Sequence, residues 1–180
     1  MQHPMVWVDL EMTGLDPERD VILEIAVIVT DGELEVIEEG PDVVVAQSEA
    51  VLAGMAQVVT QMHAHSGLDV AVRAARTTLA AAEAEVLAFV QRFVPTAGTA
   101  PLAGNSIATD RAFLRRHMPR LESHMHYRNV DVSTVKELAR RWYPDAKKSA
   151  PEKGGGHRAL ADIRESIEEL RYYRGAIFRA

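Results

Sequence analysis

The chain's 180 residues, 47% hydrophobic and 26% charged, suit a single domain (1–180) large enough to bury a core, and the net charge of −6 argues against wrapping long nucleic acid. There is no cysteine, which excludes disulfides, zinc–thiolate centres and thiol catalysis. No apolar run approaches a membrane span and Met1-Gln2-His3-Pro4 is no signal peptide, so a soluble, cytoplasmic protein is expected.

In chain order, Val6-Trp7-Val8-Asp9-Leu10-Glu11 is a short apolar run broken by two carboxylates. Successive strand residues point to opposite faces, so Asp9 and Glu11 share a face with Trp7, while Val6, Val8 and Leu10 take the other. Adjacent carboxylates repel, and a divalent cation that prefers oxygen ligands, Mg²⁺ or Mn²⁺, relieves the repulsion. An edge strand with solvated acids accounts for the hexapeptide equally well. Met12 to Pro17 is turn chemistry, interrupted by Gly14 and Pro17. Val21–Thr30 is β-rich and apolar enough to lie centrally. Asp31-Gly32 signals a hairpin, and Leu34–Val45 returns as a third strand broken near Gly40-Pro41.

Helical patterns follow. Ala50–Met62 is expected to form a helix ending in a polar loop, His63-Ala64-His65-Ser66-Gly67. Thr78–Val94 carries Leu79, Ala82, Val86, Leu87, Val90 and Phe93 at helical spacing, closed by Pro95. Pro101–Gly104 reads as a short buried strand, Thr109–Met118 as a helix stopped by Pro119, and Asn129–Val132 as another strand. Ser133 or Thr134 is expected to cap a helix reaching Trp142 and halted by Pro144; residues 145–156 read as a loop. Leu160–Ile177 is the last helix, with Ile163, Ile167, Leu170 and Ile177 as its buried stripe. Three antiparallel strands, then short strands alternating with helices, predict an α/β fold. The expected sheet is mixed and five-stranded, flanked by helices in the ribonuclease H-like manner.

The charge is uneven: residues 1–110 carry 4 Lys and Arg against 17 Asp and Glu, and residues 111–180 carry 16 against 9. An acidic half holding metal and a basic half holding phosphate is one physical reading, ordinary surface charge another. Asp110 falls in the first turn of a helix, where the helix dipole alone favours an acid by about 0.3–1 kcal/mol, and Asp162 falls near the start of the last helix. His157 follows Gly154-Gly155-Gly156. On the helix it would face away from Asp162, so a shared site requires it to sit off the helix, on the glycine-rich loop. A general base that must approach a water can use such mobility; a solvated loop histidine is the ordinary alternative.

Asp9-x-Glu11, Asp110 and His157-x₄-Asp162, in that order, resemble the signature of the DEDDh 3′→5′ exonucleases. The similarity is carried by Trp7–Leu15, Gly104–Asp110, His126–Thr134 and Pro151–Ile163, and extends from about Met5 to Phe178. It is strongest toward those members that degrade very short RNA. The resemblance implies two divalent ions, Mg²⁺ or Mn²⁺, clamping the attacking and leaving oxygens of a phosphodiester. Asp9 is expected to bridge both ions, with Glu11 and Asp162 completing one and Asp110 supporting the other. His157 is expected to take the proton of the attacking water, releasing a 5′-nucleoside monophosphate from the 3′ end.

The same resemblance assigns substrate contacts. Leu15 is implied as a wedge against the terminal bases, and His63 as a further contact. Ser106, Arg128 and Ser133 are implied around a terminal 5′-phosphate, with Tyr127 arriving from the partner subunit of a homodimer. The chain departs from the pattern at Val58, where an aromatic residue is usual; valine cannot stack on a base, so either a neighbour such as Met62 fills the role or base stacking is weaker here. Dinucleotides are therefore the expected substrates above all. A DNA-directed exonuclease of proofreading type and an inactive nucleic-acid-binding module are the alternatives the same residues leave open.

Overall fold

The computed structural model describes residues 3–151 and 154–178, so Met1, Gln2, Arg179 and Ala180 and, beside the glycine-rich segment, Glu152 and Lys153 lie outside the described residues. The chain opens with three antiparallel strands, β1 (Met5–Met12), β2 (Ile22–Thr30) and β3 (Val36–Val44). Three short helices follow, α1 (Glu49–Ala53), α2 (Gln57–Ser66) and α3 (Leu68–Ala74), and then the longer α4 (Leu79–Phe93). The second half alternates β4 (Pro101–Gly104), α5 (Ile107–His117), α6 (Pro119–His124), β5 (His126–Asp131), α7 (Val132–Trp142), α8 (Pro144–Lys148) and α9 (Ala159–Ile177). The sheet order is β3-β2-β1-β4-β5, with β4 parallel to both neighbours. This is the mixed five-stranded sheet the sequence predicts.

Every residue of β2 is buried, as its unbroken apolar run requires of a strand covered on both faces. One face carries Val6, Val8 and Leu10 of β1 with Ile25, Val27 and Val29 of β2, packed under α4 and α5. The other carries Trp7, Ala26 and Ile28 under Ile163, Ile167 and Leu170 of α9. The alternation along β1 therefore sends Asp9 and Glu11 to the α9 side. Among the described residues no helix is long and apolar enough to cross a membrane.

Four local expectations are corrected. The third strand is not broken at Gly40-Pro41 but bulged there: Ala26 pairs with Asp42 and Ile28 with Glu39, so two residues oppose Val27. A Cβ on Gly40 would lie 2.5 Å from the Phe89 ring, so α4 can lie this close only over glycine. The predicted Ala50–Met62 helix is two helices, parted at Gly54, and the second runs on through His63 and ends at left-handed Gly67. Pro119 and Pro144 each stop one helix and also open another, because proline fits a first helical turn as readily as it ends one. Finally, α7 is capped by Asp131, whose carboxylate accepts from the Ser133 N–H, and not by Ser133 or Thr134.

Candidate active site

The site forms where β1 outruns its neighbour. Among the described residues β4 pairs with β1 only at Val6 and Trp7, and the chain leaves the sheet at Gly104 to enter α5. A Cβ on Gly104 would lie 3.0 Å from the Val8 carbonyl oxygen and 2.9 Å from Ile107, so only glycine admits this approach. One turn later Asp110 reaches the open edge of β1, and its Oδ1 accepts the Leu10 N–H at 3.0 Å. That bond sits between Asp9 and Glu11. On the α9 side, Glu11, His157 and Asp162 each bring a ligand atom within 4.8 Å of the others. Asp9 is half-buried on the same face of β1, opposite the small Ala26.

His157 stands just ahead of α9 in a left-handed backbone conformation, φ 47°, so it turns toward Asp162 from off the helix, as the five-residue spacing demands. The loop carrying it is anchored from the helix side. Gly154 donates its N–H to Glu165 Oε1 at 3.0 Å, and Arg158 forks onto Glu24 of β2.

The electrostatics of the cluster are unfavourable without a cation. Burial, then the carboxylates of Asp162, Glu24 and Asp110, push Glu11 up to about 8, with Arg158 opposing. Burial pushes Asp110 up to about 7 despite the Leu10 hydrogen bond, with Asp131 adding to the rise. Two buried carboxylates that resist ionisation, with the carboxylates of Asp9 and Asp162 beside them, suit one or more hard divalent cations, which supply the missing positive charge. The donor set therefore fits a metal.

His63 is not on a loop. It is a wholly buried residue of α2 whose Nε2 donates to the Met12 carbonyl at 2.8 Å, while Nδ1 lies 3.9 Å from Glu11 Oε2. With no exposed surface it backs Glu11 from behind, and the expected substrate contact is not available to it in this structure. The polar composition of residues 63–67 hid a helical face with one buried histidine.

The expected substrate residues fall into two groups. Leu15, 76% exposed, and Val58, 72% exposed, line an apolar cleft with Met62, Val59 and Gly14 that opens beside Glu11. Met62 lines the same cleft as Leu15 and Val58. On the far side, Asp131 Oδ1 accepts both the Ser106 and the Ser133 N–H at 2.9 Å, and the two serine hydroxyls meet at 3.0 Å. Asn105 Oδ1 accepts the Ser133 hydroxyl, and its amide reaches Ser166 on α9. Tyr127 and Arg128 are exposed on β5, the guanidinium 5.2 Å above the ring.

Arg111 and Glu24 are among the buried charges that sequence reasoning missed. Arg111, next to Asp110, bonds the Tyr127 carbonyl and the Asn129 side chain and pairs with Glu122, tying α5 to β5. Glu24 lies directly opposite Glu11 in the β1–β2 register. The available signal was a lone acid inside an apolar central strand, which must find a partner.

Residues 6–170 match the exonuclease (RNase_T) family. An oligoribonuclease of Rhodococcus jostii is 57% identical over 178 residues, covering 99% of this chain and 89% of the relative. One from Pseudomonas paraeruginosa is 56% identical over 176 residues, covering 97% of each chain. Among solved structures, the zinc-bound complex of E. coli exonuclease I with single-stranded DNA superposes with a TM-score of 0.76 at 17% identity. It covers 98% of this chain and 41% of that one, a likeness of fold. With its family match and its full-length similarity to these relatives, the chain belongs to the oligoribonuclease family.

Proposed function

We propose that this protein is a 3′→5′ exoribonuclease that hydrolyses very short RNAs, dinucleotides above all, to 5′-mononucleotides. The observation that carries the reading is the convergence of Glu11, His157 and Asp162 beside Asp9 and Asp110, in a chain similar to oligoribonucleases over its whole length. Asp9, Glu11, Asp110 and Asp162 would hold two divalent ions, and Mg²⁺ or Mn²⁺ fits an all-oxygen donor set best. Such ions supply electrostatic stabilisation of the attacking and leaving oxygens.

The remaining work falls to the protein. His157 accepts a proton from the attacking water through its imidazole, and its place off α9 lets it approach from outside the carboxylate cluster. Leu15, Val58 and Met62 grip the bases by apolar contact in the cleft beside Glu11. Ser106 and Ser133, held by Asp131, present hydroxyls to a terminal 5′-phosphate, and Arg128 offers a planar guanidinium. Tyr127, largely exposed, completes the pocket from a second copy of the chain in a homodimer. A cap of this kind limits substrate length, and the net charge of −6 suits a compact pocket better than a long phosphate groove.

The test is a ladder of 5′-phosphorylated RNA and DNA oligomers, from dimer upward, with Mn²⁺ or EDTA. The dinucleotide RNA should disappear fastest, and EDTA should stop the reaction. Faster cleavage of long DNA would favour the proofreading reading, and no cleavage of any substrate the binding module.

A further inference from the structure

We infer that Glu24 is a positioning residue for His157, acting through Arg158; the inference rests on the reading of His157 as the proton acceptor. Glu24 is wholly buried on β2, and its carboxylate accepts four hydrogen bonds from the start of α9, among them Arg158 Nε to Oε2 at 3.2 Å. Its Oε1 takes Arg158 Nη2 at 2.6 Å and Nε at 2.9 Å, and its Oε2 takes the Ala159 N–H at 3.1 Å. The first N–H groups of a helix have no partner within it, and Arg158 at the N-cap position supplies none from its side chain. The cap therefore comes from a neighbouring strand. One carboxylate thereby fixes both the guanidinium and the backbone of the residues directly after His157.

The described residues just before His157 hold it less directly. Gly155, itself left-handed at φ 66°, and Gly156 have no side chains to hold them, and the Glu165 bond to the Gly154 N–H lies beyond both. His157 meanwhile holds φ 47°, a conformation that disfavours a side chain bearing a Cβ and persists only where its surroundings impose it. Among the described residues, the Glu24–Arg158–Ala159 contact is the attachment directly next to it. Arg158 keeps a side chain 37% exposed while Glu24 has none, so an unpaired Arg158 can swing to solvent and release the loop.

The test uses Glu24→Gln, which keeps the volume and an acceptor for Ala159 but loses the charge that grips Arg158. Turnover of a 5′-phosphorylated RNA dinucleotide with Mn²⁺ is measured in the native and His157→Ala backgrounds, and Mn²⁺ affinity by calorimetry. Glu24→Gln should lower kcat by about 10–100-fold with KM within about twofold of the parent and no loss of Mn²⁺ affinity, the size usual for a residue that orients another. In the His157→Ala background the same change should cost less than about twofold, since the group it positions is gone. Equal losses in both backgrounds, or a fall in Mn²⁺ affinity matching the fall in rate, would overturn the inference. Should Glu24→Gln not fold, Arg158→Gln leaves the Glu24 cap of α9 in place; it should show the same background dependence, and full kcat would overturn the inference. If His157→Ala alone retained native turnover, the reading of His157 would fail first, a different result from additive losses.

Discussion

The Leu10 N–H donates to Asp110 Oδ1 at 3.0 Å across a sequence separation of 100 residues, and this bond ties α5 to the strand that carries Asp9 and Glu11. It gives Asp110 two separable jobs. As an acceptor it fills the open edge of β1; as an anion it contributes charge to the cluster.

Asp110→Asn separates them. The amide oxygen can still accept from Leu10, so the fold should persist, while activity should fall by about 100-fold or more as an anionic oxygen is lost. Without metal the variant should be the more stable protein at alkaline pH. Asp110 rises from 3.8 unfolded to about 7 folded, so the native state binds more protons than the unfolded chain between those values. Its ionisation therefore erodes stability as pH rises through that window. Thermal melts in EDTA should show the variant gaining on the native protein as pH rises from about 4 to about 7, by roughly 2–4 °C for each kcal/mol relieved.

Glu11 makes metal loading depend on pH. Its carboxyl titrates at about 8 against 4.5 when unperturbed, so at neutral pH a metal must displace its proton. For that group alone, affinity should weaken about tenfold per pH unit below about 8. Mn²⁺ titrations in two buffers of different ionisation enthalpy should reveal proton release at pH 7. The metal-free protein should lose stability from this group as pH rises from 4.5 through about 8, and added Mn²⁺ should raise the melting temperature more at pH 8 than at pH 6. A pH-independent affinity would show that Glu11 is already ionised in the free protein.

The parts of this site that were legible in the sequence are those fixed by local geometry. A period of two places Asp9 and Glu11 together, and the 3.6-residue period makes His157 leave the helix to meet Asp162. Burial stripes also gave β2, α4 and α9 close to their observed limits. What escaped depends on partners far along the chain. Asp131 caps α7 and also holds Ser106, 25 residues earlier, so the nearby serines appeared to be the better caps. His63 looked like a loop residue because its burial is set by Met12 and Glu11. The short helices α3, α6 and α8 have too few turns for any period to emerge.

Val58 offers a gain-of-affinity test. It faces solvent at the cleft lined by Leu15 and Met62, so a larger side chain there meets no packed core. Val58→Trp should add a stacking surface opposite Leu15, worth roughly 1–3 kcal/mol per base, and lower the dinucleotide KM by about tenfold or more. Leu15→Ala should raise KM with little change in kcat. An unchanged KM in Val58→Trp would mean the bases do not enter this cleft.

The phosphate end can be tested independently of the metal end. Asp131 holds the Ser106 and Ser133 backbones with one oxygen, their hydroxyls lie 3.0 Å apart, and Arg111 braces the carbonyl of Tyr127 beside Arg128. If these groups grip a terminal 5′-phosphate, their contribution must vanish when that phosphate is absent, whereas damage to the carboxylate cluster would lower both rates alike. A charge-assisted bond of this type contributes about 1.5–3 kcal/mol, so Arg128→Ala should lower kcat/KM for a 5′-phosphorylated RNA dinucleotide by about 10–100-fold. The same substitution should change hydrolysis of the unphosphorylated dinucleotide by less than about threefold. Parallel kinetics on the two substrates give the ratio directly. Equal losses on both would place Arg128 outside the phosphate site, and a native enzyme indifferent to the 5′-phosphate would remove the physical basis for a preference for dinucleotides.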